Sequence, residues 1–600
     1  MRVLERCLAR AIFRWQSARA KQDSAIGQPQ CGAVHRSLQA GDGRLPRRCS
    51  SSLPPSLPSD MVSSMGIRTT FFVVALLGAA GCEGYISPAP ETSVMTGPSG
   101  PEAANPAARC TEQKPLMLPR RLVRLSNPEI VASLAAVSPL DEASLPAAWR
   151  KPSTPLAPDP GLSVSRDFLE QVSGLGLVIA STLPMATNCQ PSTFGVDPVC
   201  TRASIGALTH TAFRAQETTE DIDALVALAL DVGRRSGAQA AARITSRALA
   251  MSPRMLYLME GVSGPVDPTV PRGLSVAELA SFISFRVTQG PPTEAFLAAL
   301  KAQPTPNASQ LKTMLEQHLG VGVVARTSQE FLSSWVSVPQ IGRATKNQIK
   351  HPEATPEFMA SLQQEAWSAL GVLALDGRTG LAELLTVQGK SVASKDDQAP
   401  AGIGRPGVFA LPGVIAGTSA GFETNLPRRG RFLLRRLFCE SLSSPPAGAV
   451  AAAPKVDPTG TERQRFANVE AIASCSGCHA RIDHLASAFE VYDEVGRMRV
   501  NDEHGNRILV DDVHKVKNGE KLTFTDATDL MRQTAKLPLV QGCFSSQAFT
   551  HFARQPQTNP FEACEGERLA VQVRQPDGGF PVQTLVLTSL LNAALAPRAD

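Results

Sequence analysis

The sequence of 600 residues is poor in aromatic side chains, since Phe, Trp and Tyr together make up only 5% of it. β-Strands are enriched in aromatic and β-branched residues, whereas Ala and Leu, which are abundant here, favour helices. No internal repeat is visible. The composition therefore predicts a mainly α protein, and the length predicts several modules rather than a single core.

The common catalytic motifs are missing as well. No Gly-rich phosphate loop and no nucleophile elbow stand out, and residues 417–421 have only the composition of a flexible loop. The sequence therefore leaves open whether the protein is an enzyme. An electron carrier or a binding protein is a better expectation than a catalyst.

A basic surface is not expected in the mature protein. The formal net charge is +5, but residues 1–81 hold 11 of the 59 Lys and Arg residues and only 4 of the 54 acidic ones. The remaining chain carries 48 basic and 50 acidic residues, a net charge of −2. A nucleic-acid partner, which needs a basic surface, loses its main support.

No apolar stretch is long enough to span a bilayer comfortably, but residues 65–82 have the layout of a secretory signal. A short charged start precedes an apolar run, and small residues lead to Cys82. This ending resembles a bacterial lipobox, with Ala79 where Leu is usual. The resemblance implies that Cys82 carries lipid, anchoring a cell-envelope protein in the periplasm or at the outer-membrane surface. A plain secretory signal is the alternative.

The chain divides into segments of different composition. Residues 1–64 indicate an extension that is either non-native or disordered, and residues 83–117, rich in Pro, Gly and Ser, indicate a flexible tether. Beyond the tether we expect an N-terminal helical module at 118–200, a central helical module at 201–427, a third module at 428–556 and a C-terminal helical tail at 557–600.

Local patterns predict where some helices begin and end. Residues 119–134 and 243–258 have helical patterning. Thr218 and Ser275 stand where a capping residue would open a helix. A stretch rich in Gly, Pro and Ala, residues 399–427, predicts a loop or a module boundary.

The pentapeptide Cys475-Ser476-Gly477-Cys478-His479 is the most informative motif. Covalent attachment of haem c requires two thiols that add to the two vinyl groups, and an imidazole directly after the second thiol to ligate the iron. Two residues between the cysteines satisfy this on the first turn of a helix. We therefore expect Cys475 and Cys478 to hold one haem c and His479 to be its proximal ligand.

Two other readings of the motif remain open. Zinc usually needs a second Cys/His pair at matching spacing, and His484 and His504 do not form a usual pair. A redox-active dithiol would follow a strand in a βαβ unit, and none is evident. Both readings are weaker than haem.

The sixth iron ligand is left open by the sequence. A methionine on the far side would favour electron transfer because it raises the reduction potential. Met498 and Met531 are candidates, the second lying 52 residues beyond His479. The competing histidines are His484, His504, His514 and His551. An open position would instead permit small-molecule binding or peroxide chemistry.

The other cysteines predict disulfides in an oxidising compartment. Without the first 81 residues, Cys82 and the haem pair, six remain, and an even number fits three disulfides. Cys189 with Cys200 is the easiest local pair, and Cys439 with Cys543 is a second expectation. Cys110 and Cys564 complete the set.

The chain resembles a group of large bacterial envelope proteins, chiefly of planctomycetes and myxobacteria. The similarity is carried by residues 431–439, by 475–483 with its CxxCH motif, and by 489–497. These proteins combine helical domains of unknown function with a cytochrome-c-like domain. The resemblance extends over roughly residues 118 to 593. It implies a multi-module helical protein with a small cytochrome-c-like domain towards the C-terminus.

One departure from this family lies directly after the haem motif. The family usually continues Asp-Pro-x-Gly-Phe, whereas this chain has Asp483-His484-Leu485-Ala486-Ser487. A histidine is gained, and the Pro, Gly and Phe are missing. This copy is therefore expected to ligate or expose the iron differently from its relatives.

The residues around the motif suggest a further role. Asp483, Glu490, Asp493 and Arg497 form either a charged shell around the haem propionates or an ordinary ion-pair set on a helix surface. The hypotheses for function are electron transfer with a redox protein partner, a surface scaffold in which haem is structural or vestigial, and a haem enzyme with an open iron.

Overall fold

A computed structural model gives the conformation of most of the chain after the expected tether. It describes residues 116–141, 143, 145–146, 149–150, 163–263, 267, 269–320, 322–388, 405–421, 423–443, 459–555 and 560–599. Within these ranges, none of the helices has both the length and the apolar character needed to cross a membrane. The expected signal segment, Cys82 and Cys110 lie outside the described residues.

The fold is mainly α, as predicted: 60% of the structure is helical, with 21 helices in the described ranges. The first eleven helices are α1 Asn127–Val137, α2 Arg166–Ile179, α3 Pro198–Ala212, α4 Thr219–Ser236, α5 Ala238–Ala250, α6 Pro253–Leu256, α7 Val276–Val287, α8 Glu294–Ala302, α9 Ala308–Leu319, α10 Val323–Trp335 and α11 Val338–Ile341. The other ten are α12 Pro356–Leu375, α13 Leu381–Thr386, α14 Pro412–Thr418, α15 Leu426–Phe438, α16 Glu462–Glu470, α17 Ala473–Ser487, α18 Ala527–Ala535, α19 Pro538–Ala553, α20 Pro560–Val573 and α21 Val582–Leu595.

Three small two-stranded sheets accompany the helices in the described part of the chain. Their strands are β1 Leu118–Pro119, β2 Arg121–Arg124, β3 Tyr257–Glu260, β4 Asp512–Lys515, β5 Lys521–Phe524 and β6 Arg598–Ala599. The β1 and β6 strands are parallel and join the two ends of the described chain, whereas β2–β3 and β4–β5 are antiparallel.

Two local predictions of helix were wrong where strands occur. The helical patterning of 119–134 begins as β1 and β2, and the helix starts only at Asn127. The patterning of 243–258 runs into β3, which starts at Tyr257. Arg121 pairs with Glu260 in the register of β2 and β3. A partner more than a hundred residues away decides the conformation, so local periodicity cannot reveal it.

The predicted helix starts are confirmed. The Thr218 side chain accepts a hydrogen bond from the Asp221 N–H and opens α4. Ser275 does the same for Glu278 at the start of α7. The stretch 399–427 differs from the expected loop, because it contains α14. Its five buried residues from Pro412 to Ala416 pack into the core, which stabilises a helix despite the Gly and Pro content.

One continuous hydrophobic core holds most of the described elements together. It contains buried residues from Leu118 to Ala596, with contributions from α7, α10, α15, α17, α19 and α21. A smaller cluster, which includes Phe194 and Ile205, packs between helices α3, α4 and α5. The helix that carries the CxxCH motif, α17, therefore packs on the same core as helices α7 to α13.

A buried cluster of opposite charges joins the N-terminal strands to this core. Glu260 accepts hydrogen bonds from Arg286 at 2.6 Å and from Arg121 at 3.0 Å. Glu260 and Arg286 are each 1% exposed at the side chain, and the two arginines hold the pKa of Glu260 at about 2 against the opposing effect of burial. The carboxylate is therefore the counter-ion of two guanidinium groups.

We expect Glu260→Gln to lower the free energy of unfolding by about 3–5 kcal/mol, because it leaves the Arg286 charge buried without a counter-ion. The matched control is Asp231→Asn, which removes the exposed ion pair with Arg235 on α4 and should cost less than about 1 kcal/mol. Urea unfolding measures both. Equal losses would contradict the assigned role of the buried cluster.

Candidate haem site

The CxxCH motif lies in the first two turns of α17. Cys475 is half-buried, Cys478 is exposed and His479 is half-buried. Both cysteines are free thiols. At 1.5 Å per residue, Cys475 and Cys478 are separated by roughly one helical turn. The two sulfur atoms are therefore accessible on one short stretch of helix, with the imidazole directly after them.

The position of α17 is set chiefly by α15. A Cβ atom on Gly430 would lie only 2.0 Å from the Ile482 carbonyl oxygen, so the two helix backbones approach as closely as glycine allows. Arg429, which is 1% exposed, donates to the carbonyls of Phe489 and Tyr492 just beyond the end of α17. The chain thus fixes α17 both along its side and at its C-terminus.

His479 is held by a buried carboxylate one turn further along α17. Its Nδ1 lies 2.6 Å from Asp483 Oδ2, and Asp483 is 7% exposed. The hydrogen bond to Asp483 raises the pKa of His479. The Phe466 ring of α16 stacks against the imidazole, with centroids 5.8 Å apart and an interplanar angle of 17°. The structure describes no hydrogen bond to Nε2, which leaves that nitrogen as the available donor to a metal.

His484 connects α17 to two other elements, β4 and α16. Its Nδ1 lies 3.0 Å from Asp512 of β4, and its Nε2 lies 3.1 Å from Glu470 at the end of α16. Asp512 is the main cause of a raised pKa for His484. Both ring nitrogens are therefore engaged, and His484 acts in this conformation as a bridge rather than as an iron ligand.

The two methionine candidates for the distal ligand are both buried in the hydrophobic core. Met531 is fully buried in α18, a helix that packs against α13, β5 and α19. Met498 is buried and follows the end of α17, where its main chain bridges to Tyr492.

Three further histidines have different surroundings. His514 is 1% exposed on β4, against the Phe438 ring, and burial lowers its pKa to about 4. His551 of α19 is half-buried, and desolvation lowers its pKa to about 3. His504 is exposed. His514 and His551 are therefore neutral at physiological pH, and His514 Nδ1 has no hydrogen-bond partner among the described residues.

The predicted charged shell separates into different contacts. Asp483 binds His479, whereas Arg497 pairs with Glu353, which precedes α12. Asp493 accepts from the backbone N–H groups of Val495 and Arg497 and closes the turn after α17. Glu490 is buried, and burial with the neighbouring Glu462 raises its pKa to about 7. The set does not converge on the CxxCH motif in this structure.

The cysteines of the described ranges are disulfide-bonded except for the two of the CxxCH motif. Cys189 is bonded to Cys200 and Cys439 to Cys543, the two pairs expected from the sequence. Cys564 is disulfide-bonded too. Of the cysteines in the described ranges, Cys475 and Cys478 alone remain free.

Two alternative readings of the motif find little support in the described ranges. No group of three or more His, Cys, Asp or Glu side chains is arranged there to hold a metal ion, which a structural zinc site would need. The CxxC segment follows helix α16 rather than a strand, unlike a βαβ dithiol site.

Sequence reasoning missed the residues that surround His479 and His484. Asp483 stands at the i, i+4 spacing from His479 at which helical side chains meet, a local signal for this contact that the sequence analysis did not use. Phe466, Glu470 and Asp512 reach the site from other elements, so no local spacing reveals them.

Two protein-family models match parts of the chain. Residues 405–502 match PSCyt3, described as a protein of unknown function (DUF1588), and residues 274–395 match PSD4, described as a protein of unknown function (DUF1592). The first match contains the CxxCH motif together with α15 and α17. Its name implies a planctomycete cytochrome-c-like domain, in agreement with the resemblance drawn from the residues. No curated protein and no solved structure matches the chain.

The bridge through His484 predicts a pH-dependent stability. The folded-state pKa of His484 is raised above its unfolded value of about 6.5. The stability that the charged imidazole adds is therefore fully present below the unfolded pKa, and it is lost as the pH rises through the folded-state pKa. We expect His484→Gln to cost roughly 1 kcal/mol of unfolding free energy at about pH 6, and less at about pH 9, after allowing for solvent screening.

Urea unfolding at the two pH values measures this difference. The exposed His504 provides the control, since His504→Gln should change stability little at either pH. If the two variants show the same pH dependence, His484 does not bridge α16 and β4 as a charged group.

Proposed function

We propose that this protein is a lipid-anchored electron carrier of the cell envelope that holds one haem c at Cys475, Cys478 and His479. The observation that carries the proposal is the presence of two free thiols and an available imidazole nitrogen on the first turns of one helix. Haem bound there would supply one-electron redox chemistry. A redox protein is the expected partner, and the proposal involves no nucleic acid.

The residues present fit covalent haem attachment. The thiols of Cys475 and Cys478 are accessible and uncommitted, as thioether formation requires. In an oxidising compartment cysteines are expected to pair, and the other cysteines of the described ranges do so. The survival of this pair as thiols supports a use other than cross-linking.

Asp483 prepares His479 for the role of proximal ligand. Its carboxylate accepts from Nδ1–H, which fixes the tautomer and leaves the Nε2 lone pair for the iron. Phe466 restrains the ring plane from the side of α16. An anionic partner also makes the imidazole more basic. A more basic ligand would stabilise the ferric state of a bound haem, so Asp483 would lower its reduction potential.

A haem enzyme with an open iron position is the second candidate function. It is favoured by the engagement of both ring nitrogens of His484 and by the placement of Met531 in the core beside α13 and α19. These contacts engage two of the candidate sixth ligands elsewhere in the structure. The third candidate is a scaffold without haem, and the haem-attachment experiment described below distinguishes it from the other two.

The proposal of a lipid anchor at Cys82 is based on the sequence of residues 65–82. If Cys82 is the mature N-terminus, the rest of the chain follows it on the far side of the membrane from the cytoplasm. We expect the full chain to partition into detergent and to incorporate a labelled fatty acid. The Cys82→Ser variant should do neither, and incorporation that persists in that variant would overturn the anchor.

Production of the full chain alongside cytochrome c maturation machinery tests haem attachment. We expect a Soret band and a haem-staining band that survives denaturing electrophoresis, both lost in the Cys475→Ala/Cys478→Ala variant. Ser476→Ala, which alters the same turn without removing a thiol, should retain both. Absence of covalent haem in the parent protein would overturn the proposal and favour the scaffold. High-spin ferric bands would favour the open-iron enzyme over the carrier.

The role of Asp483 is tested on the haem-loaded protein. We expect Asp483→Asn to raise the midpoint potential by roughly 60 mV, the one-electron equivalent of about 1.4 kcal/mol, close to the value of one hydrogen bond to a charged group. Asp483→Glu should restore part of the shift. Asp512→Asn, which weakens the matching contact to His484, should change the potential much less. Equal shifts in the Asp483 and Asp512 variants would contradict the assignment.

A further inference from the structure

A groove of about 360 Å³ lies between α11 on one side and α14 and α15 on the other. It joins the region matched by one family model to the region matched by the other. We call it the Arg343–Arg428 groove, and its main lining residues are Val336, Ile341, Arg343, Val414, Arg428 and Phe432. Its volume falls within the range of small-molecule sites, which often occur at such junctions.

The base of the groove is apolar and well supported. Val336, Ile341 and Val414 are each at most 2% exposed. The half-buried Phe432 ring packs edge-on against Phe409, at a centroid distance of 5.8 Å, and Phe409 in turn packs against Trp335 at 5.0 Å. The aromatic wall is therefore held in place by the core, and it presents a preformed apolar surface.

The rim of the groove is positively charged. Arg343 and Arg428 are both exposed, and no acidic residue lines the groove. In the described part of the chain neither arginine has a carboxylate within ion-pair distance, and the Arg428 guanidinium makes only a 3.4 Å contact to the Gly417 carbonyl. Two guanidinium groups beside an apolar base are complementary to an anion with an apolar body.

A third cation lies behind the groove. Lys346 is 5% exposed, and its ammonium donates to the carbonyls of Ala416 and Ala420, at 2.7 and 2.9 Å. Burial, with Arg428 as the next cause, lowers the pKa of Lys346 to about 8. Lys346 therefore adds a positive charge near the groove, which Glu494 and Asp493 partly offset.

We propose that the Arg343–Arg428 groove binds a small organic anion, with its carboxylate or comparable group between the two arginines and its apolar body against Phe432 and Val414. Planar guanidinium groups pair with such anions through two parallel hydrogen bonds. Ser337 and Gln340 line the same groove and add polar contacts. This site is separate from the CxxCH motif, and it does not depend on the proposed haem.

The fluorescent probe 8-anilinonaphthalene-1-sulfonate tests the site, because it combines one anionic group with apolar rings. With the full chain we expect saturable binding at one site, weakened at least tenfold in the Arg343→Ala/Arg428→Ala variant. The matched control is Arg431→Ala, which removes an exposed arginine of the same helix that does not line the groove. It should leave the affinity within twofold.

A second variant separates shape from charge. Ala344 lines the groove, and Ala344→Trp should fill it while keeping both arginines, so binding should again be lost. Circular dichroism and melting curves of each variant establish that it is folded. Unchanged affinity in the double arginine variant, or an equal loss in Arg431→Ala, would overturn the proposal. Loss of affinity for a neutral probe such as Nile red in the arginine variants would also overturn it.

Discussion

Buried arginines bound to main-chain carbonyls hold this helical protein together. Helix C-termini leave carbonyl groups without partners, and a guanidinium group can satisfy two of them from a distant part of the chain. Arg429 binds two carbonyls just beyond the end of α17, and Arg286 binds one at the end of α19. Arg598 binds carbonyls at the end of α21, the helix directly before it. The buried arginines of the described ranges are Arg120, Arg124, Arg214, Arg286, Arg405, Arg429, Arg554 and Arg598. With few aromatic residues and very short strands, the packing of helix ends depends on these contacts.

The candidate haem site depends on the same kind of contact. Arg429 and Gly430 are neighbours on α15, one fixing the residues after α17 and the other permitting close approach of its backbone. With α17 fixed, Asp483 reaches His479 within the helix, and His484 reaches Asp512 and Glu470 on either side. His484 therefore joins α16 and β4 to the helix that carries the motif.

The α15 helix also connects the two proposed sites. Arg429 and Gly430 face α17, whereas Arg428 and Phe432 line the Arg343–Arg428 groove. The two sites differ in their chemistry. One offers thiols and an imidazole at the surface, suited to a covalent cofactor, and the other offers guanidinium groups over an apolar base, suited to a dissociable anion. A rigid helix between them keeps both in a fixed relation to the common core.

The sequence by itself determined the helical class, the helix starts at Thr218 and Ser275, and the CxxCH motif as the place where chemistry is expected. These features are local: propensity, capping and ligand spacing act within a few residues. The tertiary structure decided the features that depend on contacts with distant residues. It formed strands at 118–119 and 121–124, paired Asp483 with His479, engaged His484 at both nitrogens and placed Met531 in the core. Most of these features depend on contacts between residues that are far apart in the chain. A local sequence pattern does not show which distant residue a side chain will be buried against.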